Sequence, residues 1–210
     1  MSIAVIIPAF NEGKTIKKII EKVKTVKEIN RIIVVSDGST DNTVSIAKKC
    51  GVEVMDLPKN IGKGGAMSIG VKNCQEEIIV FLDADLVGLT GNHIRRLIRP
   101  ILNQKTDMTI GVFTNGRIMT DLAHVFAPFL SGQRAMKKIL FEELTAVDIS
   151  RYGVEMALTK YVKKNNVPFI KVNLNKLTHI TKEEKHGFRK GLMSRFQMYL
   201  EILKIIKQPK

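Results

Sequence analysis

Three short apolar runs, Ile3-Ala4-Val5-Ile6-Ile7, Ile32-Ile33-Val34-Val35 and Ile78-Ile79-Val80-Phe81-Leu82, each stop at polar or turn-forming residues. Runs of that length predict buried strands. Between the first two, Ile16, Ile19, Ile20, Val23 and Val26 recur at helical spacing with lysines among them, the pattern of an amphipathic helix lying on a sheet. A second helix is predicted from about Thr43 to Cys50, a short strand from Val52 to Met55, and a third helix from the glycine-rich Asn60-Ile61-Gly62-Lys63-Gly64-Gly65-Ala66 to about Asn73. Strands alternating with helices imply right-handed crossovers and a mainly parallel sheet flanked by helices, an α/β fold. Beyond it the pattern predicts a helix from Asn92 to Leu102, a strand from Met108 to Phe113 and a basic helix from Ala135 to Leu144. A helix from Tyr152 to Lys164 and strands Phe169 to Val172 and Leu174 to His179 follow, and the last helix, Gly191 to Ile206, is apolar around most of its circumference.

Open α/β sheets bind ligands beyond the carboxyl ends of their strands, so the strand ends carry the candidate chemistry. The third apolar run ends in Asp83-Ala84-Asp85. If that segment stays extended, alternate residues point the same way and both carboxylates can face one site, a seat for a hard divalent cation between protein and phosphate oxygens. Taken alone, the same triplet also fits a solvated turn or a helix N-cap. At Gly62-Lys63-Gly64-Gly65 the glycines let the backbone approach a ligand, and a helix start with an added lysine favours an anion; a purely structural helix start fits as well. Neither the dinucleotide fingerprint nor the Walker spacing is present.

Length and composition narrow the class. The 210 residues suffice for one domain with its own core, 44% are hydrophobic and 26% charged, and no apolar run approaches the length of a membrane span. Ile3 to Ile7 is too short for a secretory leader and has no basic residue before it, so a cytoplasmic protein is expected. Cys50 and Cys74 have no metal-ligand spacing and read as free thiols. The net charge of +14 is concentrated toward the end: from Lys160 onward there are thirteen Lys and Arg against three Glu. A surplus of this kind draws anions, whether a phosphorylated small molecule, an acidic membrane face or nucleic acid, and a merely solvated surface fits too.

Pro8-Ala9-Phe10-Asn11-Glu12, Ser36-Asp37-Gly38-Ser39-Thr40-Asp41, Asn60-Ile61-Gly62-Lys63-Gly64 and Phe81-Leu82-Asp83-Ala84-Asp85-Leu86 resemble, in order and at successive strand ends, the motifs of family 2 glycosyltransferases of the GT-A fold. The resemblance implies a nucleotide-diphosphate sugar donor, a UDP- or GDP-hexose, and Mg²⁺ or Mn²⁺ as cofactor. It implies that Pro8, Ala9, Phe10, Asn11 and Glu12 line the nucleoside pocket, that Asp37 bonds the base, and that Gly62 and Lys63 lie near the nucleotide. Asp83, with Ala84 beside it, would touch the ribose or sugar, and Asp85 would bind the metal. Many relatives carry a second acidic residue where this chain has Ser36, which leaves the base less defined.

The second half is similar to a narrower group. Arg151-Tyr152-Gly153-Val154-Glu155 resembles the Gly-Val-Glu segment of glucosyl-3-phosphoglycerate synthases and, more distantly, of dolichyl- and polyprenyl-phosphate sugar transferases. By that likeness His179 completes the metal site, and Glu155 contacts the sugar or acts as base toward an acceptor hydroxyl. A carboxylate at a helix start is favourable whatever its role. Ser131-Gly132-Gln133-Arg134 resembles the acceptor loop, with Gly132 and Arg134 toward an anionic acceptor. The expectation is a GT-A domain over residues 1–180 and a basic, amphipathic C-terminal helical appendage over 181–210. The resemblance implies a metal-dependent hexosyltransferase with Asp85, Glu155 and Lys63 as its catalytic residues and a phosphorylated small molecule such as 3-phosphoglycerate as acceptor. The alternative acceptor is a polyprenyl phosphate, with peripheral contact at the inner membrane face; a homodimer through the last helix is expected otherwise. A sugar-phosphate nucleotidyltransferase would carry a glycine-rich, arginine-containing loop after the first strand, and nucleic acid is not an expected partner, for want of a stacking platform or helix-turn-helix signals.

Overall fold

The computed structural model describes residues 1–113, 131–144 and 153–179. The chain divides into a unit Met1–Thr178 and a unit His179–Lys210. The expected last helix, 191–206, lies outside the described residues. No helix among the described residues is long and apolar enough to cross a membrane.

The first half is a run of β1 (Ile3–Ala9), α1 (Ile16–Lys24), β2 (Arg31–Ser36), α2 (Thr43–Lys49), β3 (Glu53–Asp56), α3 (Lys63–Lys72) and β4 (Ile78–Phe81). β1 pairs in parallel with β2, from Ala4 opposite Arg31 to Ala9 opposite Ser36, and with β4, from Ile3 opposite Ile78 to Ile6 opposite Phe81. With strands on both sides and helices on both faces, β1 has no solvated side, and every one of its residues is buried. The chain winds outward from β1 through β2 to β3, then returns by α3 to β4 on the other side of β1. Right-handed crossovers running in opposite directions leave helices on opposite faces. Accordingly Ile19, Ile20 and Val23 of α1 pack with Val5 and Ile7, while Ala66, Met67 and Val71 of α3 pack with Ala4 and Ile6. The strand order reverses between β1 and β4, and a ligand crevice opens at such a reversal.

The second half adds β5 (Leu86–Val87), α4 (Gly91–Leu102), β6 (Met108–Val112), β7 (Arg134–Lys137), α5 (Lys138–Glu142), α6 (Val154–Lys164), β8 (Phe169–Asn173) and β9 (Thr178–His179). The large sheet has the order β3-β2-β1-β4-β7-β6-β8, and β5 and β9 form a separate two-stranded ladder. Among the described strands of the large sheet, β7 alone runs antiparallel, between β4 and β6. α4 joins α1 and α2 on one face through Ile94, Leu97, Ile98 and Ile101; α5 and α6 join α3 on the other, where the rings of Phe81 and Phe141 meet at 5.3 Å.

Three expectations change. The basic helix expected from Ala135 to Leu144 is a strand to Lys137 and a helix only from Lys138, because residues 134–137 fill the slot between β4 and β6 and a ladder on both sides overrides local helical spacing. The strand expected from Leu174 to His179 is reduced to Thr178–His179: Leu174 and Leu177 are buried in a turn that Lys176 closes with φ +62°. Asp83-Ala84-Asp85 is not extended, for β4 ends at Phe81 and Ala84 and Asp85 form a turn, so alternation does not bring the two carboxylates together.

Candidate active site at the carboxyl edge of the sheet

Beyond β1 and β2 the two loops are tied to each other. Asn11, at φ +57°, accepts from the Thr40 N–H through Oδ1 at 2.8 Å, and its own N–H donates to Ser39 Oγ at 3.1 Å. The next two N–H groups go the same way, Glu12 to Thr43 Oγ1 at 2.8 Å and Gly13 to Asp41 Oδ2 at 3.0 Å. Asp41 also accepts from the Thr43 N–H at 2.9 Å and from the Thr43 hydroxyl. Burial works to raise the Asp41 pKa, but the bonds from Thr43 and from the Gly13 N–H outweigh it and hold the carboxyl below its ordinary value. Asp41 and Thr43 are therefore the fastening of this half, a role the sequence reading did not assign. Asp41-Asn42-Thr43, an Asx residue two positions before a hydroxyl, was the signal for it.

Asp37 sits where these loops meet the start of α3. Its N–H donates to Ala9 O at 2.8 Å, which holds it beside Phe10, and its Oδ1 accepts from the Ile61 N–H at 2.7 Å. Among the described residues no donor is recorded on Oδ2. Phe10 and Ile61 are exposed apolar side chains on this edge, at 48% and 44%. Pro8, Ala9 and Ala84 are buried, the two alanines within the core, so a ligand could reach them chiefly through backbone.

The other half is ionic. α3 begins after Gly62 (φ +85°, ψ 157°) and α6 after Gly153 (φ +74°, ψ 151°), a region of backbone space that side chains essentially exclude. These sharp entries put Lys63 and Glu155 in the first turns of two helices. The Lys63 ammonium lies 2.6 Å from Asp83 Oδ1 and 2.7 Å from Glu155 Oε1. Burial alone would lower the lysine pKa; the carboxylates of Asp83 and Glu155 more than reverse that and raise it above its ordinary value. Gly132 closes the group from a fourth segment: a Cβ there would stand 2.5 Å from Lys63 Nζ and 2.7 Å from both Asp83 oxygens. Two carboxylates and one ammonium leave the cluster with a net negative charge.

Arg134 is 1% exposed. Its Nε donates to Ser131 O at 2.9 Å and its Nη2 to Thr159 Oγ1 at 3.4 Å, while the Thr159 hydroxyl donates to Glu155 O at 2.8 Å. Burial lowers its pKa to about 10, with Glu155 acting the other way, which still leaves the guanidinium charged at neutral pH. Arg134 thus braces the loop holding Gly132 against the helix holding Glu155. Asp85 is half-buried in the turn before β5, and the His179 side chain lies outside the described residues. His93, which had no assigned role, caps α4 through Thr90.

The arrangement therefore brings Lys63, Asp83, Gly132 and Glu155 together, ties the Asp37 backbone to Ala9, and ties the Asn11 side chain and the Glu12 N–H to the neighbouring loop. The family model described as glycosyl transferase family 2 matches residues 4–195. The glucosyl-3-phosphoglycerate synthase of Mycobacterium tuberculosis is 28% identical over 196 residues, 75% of this chain and 59% of that protein. The dolichyl-phosphate beta-glucosyltransferase of Drosophila melanogaster is 36% identical over 101 residues, 40% of this chain and 31% of its own. The solved structure of the mycobacterial synthase with Mn²⁺, UDP and glucosyl-3-phosphoglycerate superposes with a TM-score of 0.76 at 25% identity, covering 100% of this chain and 81% of that one. The chain spans about half the length of the curated relatives it matches, 45% and 59% for two of them.

Proposed function

The chain belongs to glycosyl transferase family 2, and on that premise we propose that it moves a hexose from a UDP- or GDP-sugar to a phosphorylated small-molecule acceptor such as 3-phosphoglycerate. The observation that carries this reading is the convergence of Lys63, Asp83, Gly132 and Glu155 on one point of the carboxyl edge. The likeness to a synthase solved with UDP, Mn²⁺ and a glucosylated phosphoglycerate supports the substrate class.

Phe10 offers a ring face for the base and Asp37 Oδ2 an acceptor for its N–H groups, on a floor formed by Pro8, Ala9, Asn11 and Glu12. Asp83 and Glu155 orient the hexose hydroxyls, and Gly62 lets the diphosphate approach the start of α3. Transfer breaks the bond between the anomeric carbon and the diphosphate oxygen, the electron pair leaving with the diphosphate while an acceptor oxygen bonds the carbon. Lys63 stays protonated throughout, so it serves as a fixed positive charge rather than a proton donor. Where the acceptor is an alcohol its proton must leave, and Glu155 is the carboxylate at hand. Gly132 and Arg134 set the acceptor loop.

Mg²⁺ or Mn²⁺ would be held at this edge by Asp85, where it would supply positive charge to a bound diphosphate. Among the described residues no three His, Cys, Asp or Glu are grouped to hold a metal by themselves. One carboxylate with substrate phosphates is an ordinary coordination for Mg²⁺. Asp85 would supply the carboxylate and His179 a second ligand, and the bound ion would neutralise charge gathering on the departing diphosphate. A second reading, a polyprenyl-phosphate acceptor, is favoured by the 36% identity to the dolichyl-phosphate enzyme. A homodimer accompanies the first reading.

The test is nucleotide release from a panel of UDP-, GDP- and ADP-sugars with Mn²⁺, Mg²⁺ or EDTA, followed by addition of 3-phosphoglycerate or a short polyprenyl phosphate. Metal-dependent release from one donor, lost in Asp85→Ala and accelerated by one acceptor class, is expected. No release and no binding of either UDP or GDP by calorimetry would overturn the reading.

A further inference from the structure

The two helix layers that cover the sheet differ in charge. α1 carries Lys17, Lys18, Lys22 and Lys24 against Glu21, α2 carries Lys48 and Lys49, and α4 carries three arginines, with no acid on either of the last two. On the opposite layer α3, α5 and α6 carry Glu142 and Glu155 among their six lysines, and Lys63 and Lys138 are spent in ion pairs with those acids and Asp83. The basic layer is one continuous face, because the apolar sides of its three helices are buried in a single cluster and only their outer sides remain. Its own recorded ion pairs are Lys17 with Glu21 and Arg95 with Glu28. Lys18, Lys22, Lys48 and Lys49 are exposed and have no ion-pair partner among the described residues.

We propose that the outer face of the α1, α2 and α4 layer docks the protein on a membrane surface rich in anionic lipid headgroups. A layer of helices lying on a sheet presents long, flexible cationic side chains across a broad face, which suits a plane of headgroups. Binding to single strands of nucleic acid ordinarily adds aromatic stacking, and these three helices contain no Phe, Tyr or Trp. The attachment is electrostatic, reversible and weakened by salt. The crevice lies on the carboxyl edge, and its ionic cluster is carried by α3 and α6 of the other layer, so docking through this face leaves the site accessible from the side. This goes beyond the proposed transfer reaction and holds for either acceptor.

The experiment is co-sedimentation of the full chain with neutral phosphatidylcholine vesicles and with vesicles containing roughly one-third phosphatidylserine. The wild type, Lys18→Glu/Lys22→Glu/Lys48→Glu/Lys49→Glu and the opposite-layer control Lys160→Glu/Lys163→Glu/Lys164→Glu are compared. Binding to the anionic vesicles only is expected, with a loss of at least about 100-fold in the first variant and within about threefold of wild type in the control. Because Lys22, Lys48 and Lys49 sit in last helical turns, where reversal opposes the helix dipole, the corresponding Lys→Gln set separates lost docking from lost folding. No vesicle binding by the wild type, retained binding in both α1/α2 variants, equal loss in the control, or tighter binding to a DNA oligonucleotide than to vesicles at the same salt would each overturn the proposal. Donor hydrolysis without vesicles reports the transfer reading separately.

Discussion

Over the ends of β1 and β2 the crevice edge is knit by hydrogen bonds between neighbouring loops, from Asn11, Glu12 and Gly13 to Ser39, Thr40, Asp41 and Thr43. Over β4 and β7 it is held by one ammonium between two carboxylates, brought together from segments 63, 83, 132 and 155 of the chain. The first half ties its loops to each other within the chain, while Asp37 Oδ2 and the buried Ser36 hydroxyl have no hydrogen-bond partner among the described residues. The second concentrates charge at a point whose partners can be exchanged for those of a substrate. A site built this way separates stability from chemistry: loss of the hydrogen-bonded half should unfold the edge, and loss of the ionic half should silence it.

That separation can be broken most directly at Asp83. Asp83→Asn keeps the shape but removes a charge beside Lys63, and donor turnover is expected to fall by about 10²- to 10³-fold, with a thermal midpoint within a few degrees of wild type. A variant that unfolds instead would make the ionic half structural. Gly132→Ala sharpens the point. Its φ is not in the left-handed region, so the backbone accepts alanine, and the atoms nearest the added methyl are the ends of the Lys63 and Asp83 side chains. We expect about a 10- to 100-fold loss of kcat/KM with little change in urea midpoint.

Asp41→Ala tests the other half. It strips the acceptor from the Gly13 and Thr43 N–H groups, and about 1–2 kcal/mol of stability should be lost in urea titration while kcat/KM moves by less than the Gly132 variant. The two halves also part in pH dependence. With the folded Asp41 pKa below its ordinary value, its stabilisation is complete above about pH 4 and is lost as pH falls through the lowered value, visible in the amide shifts of Gly13 and Thr43. With the folded Lys63 pKa raised, its contribution is complete below about pH 10 and is lost only as pH climbs through the raised value. The smallest expected effect is therefore none: between pH 6 and 9 the donor-hydrolysis profile should have no limb that disappears in Lys63→Gln.

β1, β2 and β4 were legible in the sequence because they lie inside the sheet and are largely buried, which compels apolar runs, and the crevice was legible because polar motifs follow those runs. Arg134–Lys137 was misread because its apolar residues suit a helix locally; only the vacancy between β4 and β6 makes them a strand. The Asp83 to Asp85 geometry failed for a related reason, since a turn and an extended segment can carry the same triplet. That Lys63, Asp83, Gly132 and Glu155 each belonged to the site was expected from motif likeness; that they touch was not, because contacts between distant segments leave no local periodicity. The fastening role of Asp41 was readable and went unassigned, its motif having been taken as ligand-binding.

The antiparallel β7 also bears on the order in which the molecule assembles. β1 to β4 assemble from the first 81 residues through parallel crossovers, whereas β4 and β6 can be bridged only after the chain has run past both and turned back. The strand that closes the sheet is entered through Gly132 and Gln133 and begins at Arg134. On this topology the hydrogen-bonded loops beyond β1 and β2 can form from the first half of the chain alone, whereas the ionic cluster needs Gly132 and Glu155 from the segments that follow.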